Sequence, residues 1–297
     1  MTDARDDGVN YEEDDVSETL ICIPSAGRST RQITLRHLRE FKLLGRTAIF
    51  VPEVEHRRYV MELGQDLLII PVPDAVSGIG NTRAWILTEY AREAHVDRIL
   101  MIDDDMDFCY RPDVKLPKLE IVETEERMLD MLGRLDRWMD EGFVHVGVSA
   151  RQGNQNKYYD ENKVYGLHEY RDATRMMNMY QYDVRALAGL PIKWGRVPVM
   201  EDFDLTLQLL RLGRANRVLF EYCWNQRDSG ATGGCSTYRT PEMQAEAASK
   251  LAQLHPGFVK LVTKKSKDTS TAWRGMKERV DVMVYWRDAI DSARVTS

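Results

Sequence analysis

Residues 98–108 read RILMIDDDMDF, so an apolar run (Ile99 to Ile102) leads straight into Asp103, Asp104 and Asp105, with Asp107 following. Adjacent carboxylates beside a low-dielectric core raise one another's pKa and destabilise the fold unless positive charge sits among them. Clustered hard oxygens suit Mg2+ or Mn2+; a solvated turn is the plainer reading. A second acidic pair, Glu201 and Asp202, opens VMEDFDLTLQLLRLG (199–213). Acids there can cap a helix and complement its dipole, or a carboxylate held at a cleft can take the proton of a hydroxyl. A third segment, GIGNTR (78–83), sets glycines before a helical pattern with Arg83 in the first turn. Free backbone N–H groups and a bidentate arginine suit a phosphate. Arg83, however, stands where the dinucleotide fingerprint needs its third glycine, and the glycines can equally shape a loop.

These groups need a scaffold that brings them together. ETLICIPSAGR (18–28) reads as a buried strand ending at Pro24 in a small-residue turn, with a helical stretch after it closed by Gly45. TAIFVPE and DLLIIPVP read as second and third strands with the short helix EHRRYVMELG between them, and DRILMI as the fourth strand. The segment after Gly80 places Leu87, Tyr90, Ala91 and Ala94 on one helical face. In the later acidic segment Leu205, Leu209 and Leu212 form a stripe that Gly213 closes. Strand alternating with helix predicts an α/β fold with a mostly parallel sheet flanked by helices. Ligands of such sheets bind beyond the carboxyl ends of the strands, and PSAGR, the glycine–arginine segment and Asp103–Asp105 all fall there.

The 297 residues suit one large α/β domain spanning 19–297, after an acidic tail and with a helical, basic extension from about 240. Residues 1–18 hold eight acids against Arg5, a net charge of −7 within a total of −6, so the rest carries +1 and the head reads as disordered. Residues 257–279 hold seven bases against Asp268 and Glu278, either a solvated loop or a grip for a polyanion, with Trp273 able to stack on a base. The longest apolar runs fall short of a bilayer span. The acidic start does not read as a leader, and the four cysteines form no CxxC pair, so a reducing cytoplasm is expected. NQRDSGATGGCSTYR (225–239) reads as a polar loop able to order over a substrate. His255, isolated in LHPGF, reads as structural or as a ligand.

Taken in order, IPSAGR, the glycine–arginine segment, the aspartate cluster and EDFDLTLQLLRLG, with Glu201 98 positions after Asp103, resemble the GT-A fold glycosyltransferases over roughly residues 18–225. GIGNTRAWIL, MIDDDMDF and GGCSTYR are similar to the subgroup associated with TET/JBP-type base hydroxylases, found in bacteriophages and in base J synthesis. The resemblance implies a Rossmann-like nucleotide-binding half and transfer of a sugar from a nucleotide-diphosphate sugar, a UDP-sugar, to the hydroxymethyl group of a modified pyrimidine in DNA. It implies that Ser25 and Arg28 touch the nucleotide, that Arg83 approaches the pyrophosphate or sugar, and that Asp103 and Asp104 lie at the donor. Asp105, with Asp103, would hold Mn2+ or Mg2+, and Asp107 offers a second register for that ion. Asp202 would be the base and Glu201 its orienting partner, giving inversion at the anomeric carbon. A histidine on the metal, as many members have, would fall to His255. For a phage enzyme the site of action would be the bacterial host cytoplasm. Oligomeric state is not legible.

Other readings stay open at this point. The acceptor can be a polysaccharide, lipid-linked or protein hydroxyl. Paired aspartates on a parallel sheet also serve nucleotidyltransferases, although PSAGRSTR is a poor version of their glycine-rich loop. In a non-catalytic nucleic-acid-binding module the acids would only cap and solvate.

Overall fold

An apolar run that ends in charge needs neighbours on both faces, and the sheet supplies them. The computed structural model describes residues 18–154, 157–159, 165–226, 239–265 and 278–295. Strand β1 (Leu20–Pro24) lies between β2 (Thr47–Pro52) and β4 (Arg98–Ile102), with β3 (Leu68–Val72) outside β2, all parallel. Pro71 is tolerated because β3 is an edge strand and needs no inward N–H at every position. Helices α1 (Ile33–Glu40) and α2 (Glu53–Leu63) make the crossovers. The third crossover runs through α3 (Ile79–Trp85), a π turn (Ile86–Tyr90) and α4 (Ala91–Glu93) without a break. The π turn changes the expected face: Ile86, Leu87 and Ala91 are buried, whereas Ala94 is exposed. Gly45 falls inside a short 3-10 turn after α1 rather than closing a longer helix.

Beyond β4 the sheet becomes mixed. It continues through β11 (Met179–Asp183), β7 (His145–Ala150), β12 (Arg217–Gln226), β5 (Met106–Tyr110) and β6 (Glu120–Ile121), with β10 (Tyr170–Asp172) paired to β12. Strands β1–β4, β6, β7 and β12 run one way, so seven of ten share a direction, and β5, β10 and β11 oppose them. This is the α/β architecture expected, with β1–β4 as its parallel half. A small pair, β8 (Lys157–Tyr159) and β9 (Tyr165–Leu167), stands apart. Cys109 and Cys223, far apart in sequence, face each other across β5 and β12 as free thiols.

Three apolar clusters hold these layers. The first places α1, α2 and α5 (Glu125–Asp140) on one sheet face, with Met128, Met131 and Leu135 as the α5 contribution. On the other face, the second joins the 79–91 helix, α6 (Val184–Ala188) and Leu205 and Leu209 of α7 (Glu201–Arg211). The third uses the remaining side of α7, through Leu207 and Leu210, to seat α8 (Pro241–Leu254), the hairpin of β13 (Val259–Lys265) and β14 (Glu278–Val284), and α9 (Trp286–Val295). Helix α7 is thus buried on two sides, wider than the expected stripe, while Leu212 at its end is exposed and Gly213 closes it with φ +77°. The helical, basic extension expected from about 240 contains this hairpin as well.

Among the described residues no helix is long and apolar enough to cross a membrane. The acidic head up to residue 17, residues 227–238 of the expected loop with Cys235, and residues 266–277 with Trp273 lie outside the described residues.

Candidate active site

The carboxyl ends of β1 and β4, where the sheet order reverses direction, bring the expected segments together. Asp103, Asp104 and Asp105 form the turn from β4 into β5. Its backbone is fixed by Thr34, the fully buried second residue of α1. Thr34 Oγ1 donates to the Asp103 carbonyl at 2.5 Å and accepts from Met106 N at 3.0 Å. Thr34 N donates to the Asp104 carbonyl at 3.2 Å, and Asp103 N to the Asn178 carbonyl at 3.1 Å.

The crowded carboxylates are divided between two guanidinium groups. Arg28, in the turn after β1, donates from Nη1 to Asp104 Oδ1 at 2.5 Å and to Asp105 Oδ2 at 2.9 Å. Ser25 Oγ donates to Asp104 Oδ2 at 2.5 Å, contacts the Tyr59 hydroxyl at 2.9 Å and accepts from Gln32 Nε2 at 2.7 Å. Tyr59 also accepts from Arg28 N at 3.0 Å. Asp105 accepts from Gln226 Nε2 on both oxygens, at 3.1 and 3.0 Å. Asp107 points elsewhere, its Oδ1 lying 2.9 Å from His37 Nε2.

Arg83 forms the second cluster. Only 8% exposed, it donates to Asp103 and to Glu201, with its guanidinium 5.6 Å from the Tyr180 ring centre. Gly80 makes this approach possible: a Cβ there would stand 3.2 Å from Glu201 Cβ and 3.3 Å from its Cγ. Gly78 starts the helix with φ +84°. In the structure Gly78 serves the turn and Gly80 the close packing against Glu201.

Asp202 follows Glu201 at the start of α7, where Met200 adopts φ +67° and the backbone N–H groups of Phe203 and Asp204 bond back to its carbonyl. Burial and the neighbouring Glu201 carboxylate push Asp202 up to about 7, against the pull of Arg83 and Arg175. Burial raises Asp103 to about 6, with Arg83 lowering it and Asp105 and Asp104 raising it. A carboxyl that titrates near 7 is matched to taking a proton from a hydroxyl at neutral pH. A small cavity beside it is lined by Tyr180, Trp194, Arg196 and Asp204.

All the expected site residues, Ser25, Arg28, Arg83, Asp103, Asp104, Asp105, Glu201 and Asp202, therefore fall in two linked clusters. His255 does not join them. Fully buried, its Nε2 lies 2.8 Å from Asp204 Oδ1 and its Nδ1 3.3 Å from Arg211 Nη1, tying α8 to α7 in a structural role. Thr34, Tyr59, Gln226 and Arg175 were not singled out from the sequence. Gln226 lies inside NQRDSGATGGCSTYR, the segment expected as a polar loop, but the structure places it at the end of β12.

Comparison with known proteins adds an independent line. A family model described as "TET-Associated Glycosyltransferase" matches residues 19–234. The beta-glucosyl-HMC-alpha-glucosyl-transferases of Enterobacteria phages T2 and T6 are each 28% identical over 220 residues, 70% of this chain and 72% of theirs. Among solved structures, A197 from STIV covers 69% of this chain and 83% of its own at 12% identity and TM-score 0.34. Mannose-1-phosphate geranyltransferase from Thermus thermophilus covers 70% and 76% at 12% identity and TM-score 0.38.

Proposed function

The chain belongs to the TET-associated glycosyltransferases, and from that premise we propose that it moves a sugar from a UDP-sugar to the hydroxymethyl group of a modified pyrimidine in DNA, within the bacterial host cytoplasm. The observation that carries this reading is the Arg83 clamp. It ties Asp103 at the end of β4 to Glu201 at the start of α7, so a donor-side carboxylate and the neighbour of the base, 98 positions further on, share one site. Family membership sets aside the nucleotidyltransferase and the non-catalytic module.

Asp105, with Asp103 beside it, would hold the Mn2+ or Mg2+. Among the described residues no group of three or more His, Cys, Asp or Glu side chains forms a metal cage. The donor set nevertheless fits an ion of the magnesium type, which takes one or two carboxylates and fills its shell with water and substrate phosphates. When bound, such an ion supplies positive charge to the departing diphosphate. Arg28 and Arg83 add fixed cations on the same side, where charge develops. Ser25, already bonded to Asp104, would set the turn that faces the nucleotide base and ribose. On the opposite side Asp202 accepts the proton of the acceptor hydroxyl, whose oxygen attacks the anomeric carbon as the bond to the diphosphate breaks. Glu201, held by Arg83, orients that base. Attack from the face opposite the leaving group inverts the anomeric carbon.

The names of the phage relatives favour a second reading of the acceptor. They describe a glucosyl group already on hydroxymethylcytosine and an alpha-linked product. On that reading the acceptor is a hydroxyl of the first sugar, and an α product from an α-linked donor would be retention. The test incubates the protein with Mn2+, a panel of nucleotide sugars, and DNA carrying hydroxymethylcytosine, hydroxymethyluracil or β-glucosyl-hydroxymethylcytosine, followed by nucleoside mass and anomeric analysis. A hexose gain on hydroxymethylated DNA, lost in Asp105→Ala, supports the proposal. A gain confined to the glucosylated DNA moves the acceptor to the sugar. Nucleotide release with no gain on any DNA returns the acceptor to a glycan, lipid-linked or protein hydroxyl, and retained configuration removes Asp202 from the role of base.

A further inference from the structure

The β13–β14 hairpin gathers positive charge on one of its faces. Lys264 and Arg279 are direct cross-strand partners, and like charges directly opposite each other destabilise an antiparallel ladder. Asp281 sits between them, 3.0 Å from Lys264 Nζ and 3.4 Å from Arg279 Nε, and its Oδ1 accepts from Val282 N at 2.8 Å. One acid thus spaces two cations side by side. Lys260 shares a face with Lys264 by strand alternation. The described strands hold Lys260, Lys264, Lys265 and Arg279 against Glu278 and Asp281, a local excess of positive charge in a chain of net charge −6. The other face carries Val259 and Val282 into the third apolar cluster.

That cluster also holds the back of α7, so the hairpin is registered to the proposed base. Trp286, which begins α9 immediately after β14, meets Phe203 edge-on with ring centres 5.4 Å apart. Phe203 adjoins Asp202 in the chain. Arg175, exposed and 5.1 Å above the Phe203 ring, places a further cation within electrostatic reach of Asp202.

We infer that the β13–β14 ribbon and Arg175 form the surface that grips the phosphodiester backbone of acceptor DNA. The inference rests on the DNA-acceptor reading above and names the part of the chain that would hold that partner. A two-stranded ribbon is of a size that the major groove of a duplex admits. Neutralising phosphates with lysine or arginine makes the affinity fall with salt in proportion to the contacts made.

The test measures anisotropy of a labelled duplex of about 30 base pairs across a salt series, since each phosphate contact contributes about 0.9 to the log–log slope. Lys260→Gln with Lys264→Gln is expected to reduce that slope by about 2, and Lys260→Arg with Lys264→Arg to restore it. Lys42→Gln, a lysine exposed elsewhere and paired with Glu125, is expected to leave the slope at its wild-type value. An unchanged slope in the double glutamine variant overturns the inference, as does an equal loss per charge from Lys42→Gln. Transfer by the unmutated protein to hydroxymethylated DNA, assayed alongside, separates the two claims. Transfer with a ribbon-independent slope removes the surface and keeps the acceptor. Ribbon-dependent binding without transfer keeps the surface and removes the acceptor.

Discussion

Arg28 and Arg83 each stand between two carboxylates, yet they hold different things together. Arg28 lies in the turn after β1 with its side chain nearly as buried as that of Arg83, and its two partners, Asp104 and Asp105, are consecutive residues of one turn. Arg83 is buried on a helix, and its partners come from two elements, Asp103 from the end of β4 and Glu201 from the start of α7. The same ionic chemistry therefore serves as a local neutraliser in one case and as a staple between halves of the site in the other. When Arg28 leaves, Asp104 keeps its hydrogen bond from Ser25 and Asp105 those from Gln226, whereas opening the Arg83 pair strands charge on two elements at once.

The largest expected effect tests the staple. Arg83→Ala leaves Asp103 and Glu201 without their shared cation and is expected to lower unfolding free energy by about 3–5 kcal/mol, read by chemical denaturation, with transfer abolished. Arg28→Ala is expected to lose less stability than this and to raise the KM for the nucleotide sugar. Equal stability losses in the two variants would erase the distinction.

Asp202→Asn comes next. Loss of a general base is expected to lower kcat by about 10²–10⁴-fold, and the wild-type kcat/KM should rise with pH through about 7. Stability should move the other way. Asp202 titrates near 7 folded against an ordinary 3.8, so it binds its proton more tightly in the folded state. Its contribution is complete below the unfolded value and is lost as pH rises through the folded one. The asparagine variant should therefore melt higher than wild type at pH 8, with the difference closing by pH 4. A constant difference in Tm would show that the carboxyl is not held protonated by its surroundings.

The smallest effect sharpens the Arg83 side alone. In Gly80→Ala the new Cβ presses on Glu201 at 3.2 Å, a contact a flexible side chain relieves by a small shift. Several-fold lower kcat with nearly unchanged Tm is expected. Unaltered kinetics would mean that the position of Glu201 is not tuned.

Much of this site was legible because strand ends announce themselves. Apolar runs stopping at PSAGR and at the aspartates locate the carboxyl edge, and a leucine-rich helix behind Glu201 and Asp202 locates the second cluster. The partners of those carboxylates were less legible, since tertiary approach carries no local signal. Nothing in the helix around Tyr59 announces that its hydroxyl will reach Ser25, and nothing near Arg175 says that it will cover Phe203. Strand direction was hidden for the same reason: MYQYD does not reveal that β11 runs against β4. The hairpin did leave a trace, because Val259, Leu261 and Thr263 alternate with Lys260 and Lys264, but a lysine-rich stretch reads first as a loop.

The third apolar cluster bears on how such enzymes can be recombined. Leu207 and Leu210 of α7 share a single interior with α8, the hairpin and α9. A chimera that exchanged the hairpin alone would leave the host's helices facing foreign side chains, whereas one that moved the segment from α7 onward would also carry Glu201 and Asp202 away from Arg83. The inheritable unit is therefore larger than the surface it presents, and new acceptor preferences are more readily reached by changing exposed residues in place than by trading segments.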